Sequence, residues 1–209
     1  MLKINLQSKR LDRIDSTVLK NENLLERQDL QQYIFNSWEE FKNEIGLPTA
    51  ILIGQEIRPH ESVQDSVDLL AFDQDDSSII VIELKREKSK FQLLQALSYA
   101  AMIATWDSDK LIAECTRGES KVSEEALEII KNSKLNEEVQ IVLVAEAFDP
   151  EVIITSDWLV GQYGLSITAF SAELHKVENQ LFLDLDQKYP LPALSEAYKA
   201  RGRTKREER

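Results

Sequence analysis

Cysteine is almost missing from this chain: Cys115 is the only one in 209 residues. No intrachain disulfide framework is therefore open to it, and a reducing cytoplasm is the expected setting. Long apolar runs are missing too. No stretch approaches the length of a membrane span, and Met1 to Lys20 lacks the apolar middle of a secretory signal, so no membrane association is expected. Only two histidines occur, His60 and His175, distant in sequence from each other and from Cys115, which removes the zinc patterns. Both histidines are expected at the surface. The close glycines Gly161 and Gly164 form neither a phosphate loop nor a dinucleotide fingerprint, and no Gly-x-Ser-x-Gly elbow exists. Asp73-x-Asp75 opens like a calcium loop, but the twelfth position is Leu84 where a glutamate is needed.

Basic charge is also scarce. The net charge is −12, which suits nucleic-acid phosphates poorly unless a basic groove forms locally. The exception is the end of the chain, where Lys199 to Arg209 holds six bases and two acids. A charge run at a terminus most simply reads as a solvated tail. What is present is ordinary: 43% hydrophobic and 30% charged residues, enough for one domain with a substantial core.

Periodicity places the elements. Leu30, Ile34, Trp38, Phe41 and Ile45 recur at spacings of three and four, which predicts a helix from Asn23 to Ile45, ended by Gly46 and Pro48. Strands are expected over 51–57, 66–73 and 78–85. A helix follows over 89–105, with Phe91, Leu94, Leu97, Ala101 and Met102 on its buried side. A weaker helix covers 123–131, and a strand 139–146. Asp149-Pro150 starts a helix that runs to Gly164. Strands at 165–171 and 180–185 complete the order. A meander followed by helical crossovers implies a mixed sheet with helices on both faces. Trp38, Trp106 and Trp158 fall in or beside helices and read as core or interface.

The most informative stretch is 66–85. Two apolar runs flank a polar turn, the pattern of a hairpin. An even-length turn centred between Asp75 and Asp76 pairs Phe72 with Ile79 and Leu70 with Val81 on one face. Ala71 then meets Ile80, and Leu69 meets Ile82, on the other. Continued outward, Asp68 lands opposite Glu83 and Ser66 opposite Lys85. Like charges opposite one another destabilise a strand pair, and here they end strands that are apolar on both faces. A divalent cation would remove that repulsion, and carboxylate oxygens are the hard ligands magnesium prefers. An odd-length turn would separate the two carboxylates.

Two further positions carry alternatives. Glu26 follows Asn23 by three residues, the spacing of a capping box. It also shares a helical face with Leu30 and Tyr33, from which its carboxylate could reach the hairpin end. Gln95 and Tyr99, four apart, are either a buried pair that satisfies backbone groups or support for the acidic site.

Asp68, then Glu83-Leu84-Lys85 after a short turn, preceded by a helix with Glu26 and followed by one with Gln95, resembles the PD-(D/E)XK nuclease superfamily. More narrowly, 25–31 (LERQDLQ), 67–73 (VDLLAFD), 81–86 (VIELKR), 94–102 (LQALSYAAM) and 144–151 (VAEAFDPE) resemble the nuclease domain of NucS-type endonucleases and related uncharacterised proteins. The likeness spans about residues 20–172; Val67 stands where the proline of the motif's name would be. It implies a restriction-endonuclease-like α/β core, αβββαβ, with an extra C-terminal helix–strand unit. The corresponding division is an arm at 1–22, a nuclease-like domain at 23–188 and a basic tail at 189–209.

The resemblance also implies roles. Asp68, Glu83 and the Leu84 carbonyl would hold Mg²⁺ or Mn²⁺, and Glu26 would complete the site. Lys85 would position or help deprotonate water and offset developing charge. Gln95 would orient the ligands. The partner implied is DNA, including branched, mismatched or single-stranded segments, with homodimerisation open. The other reading is a catalytically silent module that binds nucleic acid or a protein.

Overall fold

The computed structural model describes residues 1–117, 122–135 and 138–191. The expected basic tail beyond 191 lies outside them. The fold is α/β, with a seven-stranded mixed sheet flanked by helices. A small hairpin, β1 (Leu2–Asn5) and β2 (Arg10–Arg13), precedes it. The sheet order is β3 (Asp15–Thr17), β8 (Ser166–Val177), β7 (Val139–Ala145), β6 (Ser78–Lys85), β5 (Val67–Asp73) and β4 (Ala50–Ile57), with β9 (Gln180–Tyr189) also paired to β8. β4, β5 and β6 form an antiparallel meander; β6, β7 and β8 run parallel. Parallel neighbours need crossovers. They are supplied by α3 (Gln92–Ile103), α4 (Ser108–Arg117) and α5 (Glu124–Asn132) before β7, and by α6 (Pro150–Tyr163) before β8.

The hairpin register is the one the sequence predicts. Phe72 pairs with Ile79, Leu70 with Val81, Ala71 with Ile80 and Leu69 with Ile82, around a four-residue turn closed by Asp73 and Ser78. Because side chains alternate along a strand, the two sets feed two cores. Leu70, Phe72, Ile79 and Val81 pack with Leu93 and Ile103 of α3, Leu111 of α4 and Val152 of α6. Leu69, Ala71, Ile80, Ile82 and Leu84 pack with Leu30, Ile34, Trp38 and Phe41 on the opposite side. β5 is buried along its whole length, so its polar ends cannot be explained as a strand reaching water.

Several expectations are corrected. The helix at 23–45 is three pieces: a π-helical turn (Glu26–Leu30), α1 (Gln31–Asn36) and α2 (Trp38–Glu44), broken at Ser37. The apolar stripe survives the break, which is why periodicity alone did not show it. α3 is rotated from the expected phase. It buries Gln92, Leu93, Ala96, Tyr99, Ala100 and Ile103, whereas Phe91, Leu94 and Ala101 face outward. α4 was not anticipated, although Asp107 marks its start by accepting from the Lys110 N–H at 2.8 Å. Near the start of the chain, β3 joins the main sheet and Leu19 is buried in the second core. His175 is buried beside β3 and β9, not at the surface, while Trp158 is half exposed on α6.

Candidate active site

The site forms where β5 begins and β6 ends. The backbone register between them runs from Asp73–Ser78 to Leu69–Ile82, and beyond it the Asp68 carboxylate takes the Leu84 N–H at 2.7 Å. The Glu83 side chain is fully buried. Its Oε1 accepts from Lys85 Nζ at 2.6 Å, while its Oε2 is buried with no partner. Lys85 Nζ also donates to the Leu84 carbonyl at 3.0 Å and lies 3.5 Å from Glu26 Oε1. One ammonium thus serves three of the acceptors expected at this point. Ser66 does not stand opposite Lys85 as expected; it precedes β5 and donates instead to Glu56 Oε2 at 2.5 Å.

Glu26 reaches the hairpin end, not a capping box. Asn23 has a left-handed backbone (φ 58°) and does not cap; the Leu25 N–H is taken by Asp29 at 2.7 Å. Glu26 is left free to accept the Arg86 N–H at 2.8 Å. Both its oxygens are therefore engaged by the protein.

Gln95 donates to the Tyr99 hydroxyl at 2.8 Å. That hydroxyl is held above its ordinary range by burial and by the charges of Glu83, Asp65 and Asp68, against the lowering effect of the Gln95 bond. The pair therefore borders the acids. Direct contact with β6 belongs instead to Gln92, whose Nε2 donates to the carbonyls of Glu83 at 2.9 Å and Val144 at 3.1 Å. From the other face, Gln31 donates to the Asp68 carbonyl at 3.1 Å. Neither glutamine was singled out from sequence, because the side-chain phase of each helix decides it.

Glu56 was also missed. It lies on β4, with its Oε2 3.2 Å from the Arg27 guanidinium as well as bonded to Ser66. The signal was faint: Gln55-Glu56 interrupts an otherwise apolar strand.

The electrostatics follow from burial. Loss of water raises the Asp68 carboxyl to about 6, aided by the charges of Glu26 and Glu56 and opposed by the Leu84 N–H and Lys85. Burial and then the charge of Asp68 raise Glu83 to about 8, although Lys85 opposes them through charge and hydrogen bond. Burial pulls Lys85 down, but Glu83, Asp68 and Glu26 together outweigh it and hold the ammonium above its ordinary value. Lys85 is thus a firm cation beside two reluctant anions.

Among the described residues, no three histidine, cysteine or carboxylate side chains converge where they could jointly hold a metal. Mg²⁺ is ordinarily held by one or two carboxylates, with water and substrate phosphate filling the rest. Asp68, Glu83 and the Leu84 carbonyl supply hard oxygens of that kind, and the unpartnered Glu83 Oε2 is an acceptor in want of a donor or cation. The donor set fits. Compared with family models, curated proteins and solved structures, the chain has no match.

Proposed function

We propose that this chain is a divalent-cation-dependent nuclease of the PD-(D/E)XK kind, hydrolysing phosphodiester bonds of DNA in repair, recombination or defence. The observation that supports this most is the buried Asp68–Glu83 pair at the hairpin exit, with Lys85 bonded to Glu83 and lying partly exposed beside it. Burying two acids together is unfavourable unless a proton or a cation compensates, and strongly perturbed acids of this kind cluster at functional sites.

Asp68, Glu83 and the Leu84 carbonyl would hold Mg²⁺ or Mn²⁺, which when bound acidifies water and stabilises charge on the phosphate. Lys85, whose proton is held firmly, is suited to orient the attacking water and to offset negative charge on the phosphate oxygens, more than to act as a base. Gln92 fixes the end of β6 through the Glu83 carbonyl. Glu26 fixes the segment after Lys85 through the Arg86 N–H, a positioning task in place of the ligand role the resemblance implies.

The test is cleavage of a panel of flapped, mismatched, single-stranded and duplex DNA with Mn²⁺ or Mg²⁺, beside Asp68→Asn and Glu83→Gln. Expected is cation-dependent cutting of at least one substrate that both variants lose. A chain that binds Mn²⁺ through these acids but cuts nothing in the panel would be the silent binding module, and the catalytic reading would fall.

A further inference from the structure

Basic charge without a partner collects at the start of the chain. Residues 1–13, which form the β1–β2 ribbon, hold four bases, Lys3, Lys9, Arg10 and Arg13, against one acid, Asp12, in a chain of net charge −12. All four bases are exposed, and among the described residues none is in an ion pair. Lysines elsewhere on this side are treated differently: Lys20 pairs with Glu87 at 3.0 Å, Lys176 with Glu22 at 2.6 Å and Lys188 with Asp186 at 2.5 Å. Asp12 itself accepts from the neutral Asn5 amide at 3.4 Å.

The ribbon stands at the edge of the sheet that carries the candidate site. Lys85, Ala145 and Ser171 form one row across β6, β7 and β8. β8 runs on past that row with β9 along one side, and β3 takes the lane that β7 leaves, pairing Thr17 with Leu174 and Asp15 with Lys176. Traced backward, the chain moves outward from the row; the Ile14 N–H bonds the Met1 carbonyl at 3.2 Å, and the ribbon lies beyond. Traced forward, the Leu19 N–H bonds the Glu146 carboxylate, and Lys20 meets Glu87, two residues after Lys85. Arg13 is thus tied to the site by a short segment, at most about 25 Å when extended. That is about seven base pairs along a duplex. Ligands of open α/β sheets bind outside the carboxyl ends of the parallel strands, which is where the ribbon stands.

The composition of the ribbon favours one partner. Leu2, Ile4, Leu11 and Arg13 share one face, and Lys3, Asn5, Arg10 and Asp12 the other. No residue among 1–13 is aromatic, so the stacking platform that holds single strands is missing. A two-stranded ribbon fits the major groove of a duplex, and unpaired lysine and arginine displace counterions from the phosphates that flank it. We propose that the β1–β2 ribbon holds duplex DNA beside the site, its four bases on backbone phosphates within about seven base pairs of the bond to be cut. The substrate's identity rests on the nuclease reading; the ribbon adds to it a requirement for a duplex flank.

The experiment is fluorescence anisotropy of the whole chain on a labelled duplex of about 20 base pairs, with Ca²⁺ in place of Mg²⁺, from about 50 to about 200 mM salt. In the variant Lys3→Gln, Lys9→Gln, Arg10→Gln, Arg13→Gln, the slope of log affinity against log salt should become shallower by about 3–4, and affinity at low salt should fall about 100-fold or more. The slope, unlike the affinity, is not moved by a partly unfolded population. Lys131→Gln, Lys134→Gln removes two exposed bases just before β7, at the opposite end of the sheet, and should change neither quantity. With Mg²⁺, the fourfold variant should cut at the parent's rate at saturating duplex, with a raised KM. An unchanged slope in that variant, while the parent cuts, would overturn the ribbon's role and leave the nuclease reading standing. Equal weakening by the Lys131, Lys134 pair would overturn it as an effect of net charge alone. An unchanged slope together with self-association that Ile4→Ser, Leu11→Ser abolishes would make the ribbon a contact between copies of the chain instead. A parent that cuts nothing, yet binds duplex with a slope the fourfold variant loses, would overturn the nuclease reading and leave the ribbon's partner standing.

Discussion

β5 has a buried aspartate at each end, and the two are treated differently. Asp73, at the turn, is surrounded by neutral donors. Its Oδ1 accepts from the Thr49 hydroxyl at 3.0 Å and the Asp75 N–H at 3.1 Å, and its Oδ2 from Gln140 at 3.1 Å. Asp68, five residues earlier, receives the Leu84 N–H and otherwise feels the charges of Glu83, Glu56, Glu26 and Lys85. Both are nearly inaccessible, at 3% for Asp68 and 5% for Asp73. Burial alone does not separate them; the company does. Neutral dipoles around Asp73 complete its hydrogen bonding and close the turn. Like charges around Asp68 leave a repulsion that proton uptake or a cation relieves.

The sharpest way to break this contrast is to take away the ammonium bonded to Glu83. Lys85→Ala should lower the cleavage rate roughly 10²- to 10⁴-fold, the usual weight of a positioned proton-handling or charge-stabilising group. Mn²⁺ affinity should be kept, because the carboxylates remain. A Lys85→Ala chain that cuts DNA as fast as the parent would rule out the role given to the ammonium.

Next in size is an exchange of the two aspartates for asparagine. Asp73→Asn removes a charge that three donors were arranged to meet, and should lose about 1–3 kcal/mol of stability. At this chain length that is a fall of about 2–4 °C in Tm per kcal/mol. Its Mn²⁺ affinity should not move. Asp68→Asn should do the reverse: Mn²⁺ binding is lost, and Tm in chelator at pH 8 holds or rises, because an anion has left a crowd of anions. If both variants shift stability in the same direction and neither touches Mn²⁺ binding, the two ends of β5 are alike after all.

A smaller effect is the pH dependence. Asp68 at about 6 and Glu83 at about 8 both lie above their ordinary values of 3.8 and 4.5. Between the ordinary and the raised values the folded chain binds more protons than the unfolded one, so stability falls as pH rises. Tm in chelator should therefore decline from about pH 5 to about pH 8.5 through these two acids, with a separate fall at higher pH from the buried Cys115 thiol, raised to about 11. The double variant Asp68→Asn, Glu83→Gln should flatten most of the slope, the rest coming from Glu146, which burial also raises. Saturating Mn²⁺ should oppose the decline, since it binds the carboxylate forms. A Tm that climbs with pH in chelator would contradict the direction assigned to both acids.

What could be read before the structure follows the range of each cause. Hairpin register depends on period-two alternation and a local turn, so Leu69 to Ile82 paired as the residues dictate, and the acids fell at one end with them. The helix from Asp149 to Gly164 was legible because Pro150 and Gly164 (φ 70°) are local signals. Phase around α3 was not, since that helix is apolar over much of its circumference and Phe91 and Leu94 mimic a buried stripe. The bulge between Leu52 and Gly54 depends on how β4 meets β5, and nothing within β4 alone announces it. The burial of His175 likewise depends on β3 and β9 closing over β8. Long-range contacts of this kind leave little trace in any single segment.

The misread phase of α3 supplies the smallest and most discriminating test. Gln95 was the candidate from sequence, and Gln92 is the residue on which the two parallel strands lean. Gln92→Ala would leave the Glu83 and Val144 carbonyls without their donor in a dry interior, a loss of about 1–3 kcal/mol, and cleavage should fall with it as the end of β6 loosens. Gln95→Ala breaks one hydrogen bond to the Tyr99 hydroxyl in a partly solvated place, which is about 0.5–1.5 kcal/mol at most. Melting curves and cleavage rates of the two variants should rank them in that order. The opposite ranking in rate, with Gln95→Ala the slower enzyme at unchanged Tm, would mean that the Gln95–Tyr99 pair touches the reacting groups and that Gln92 only holds up the sheet.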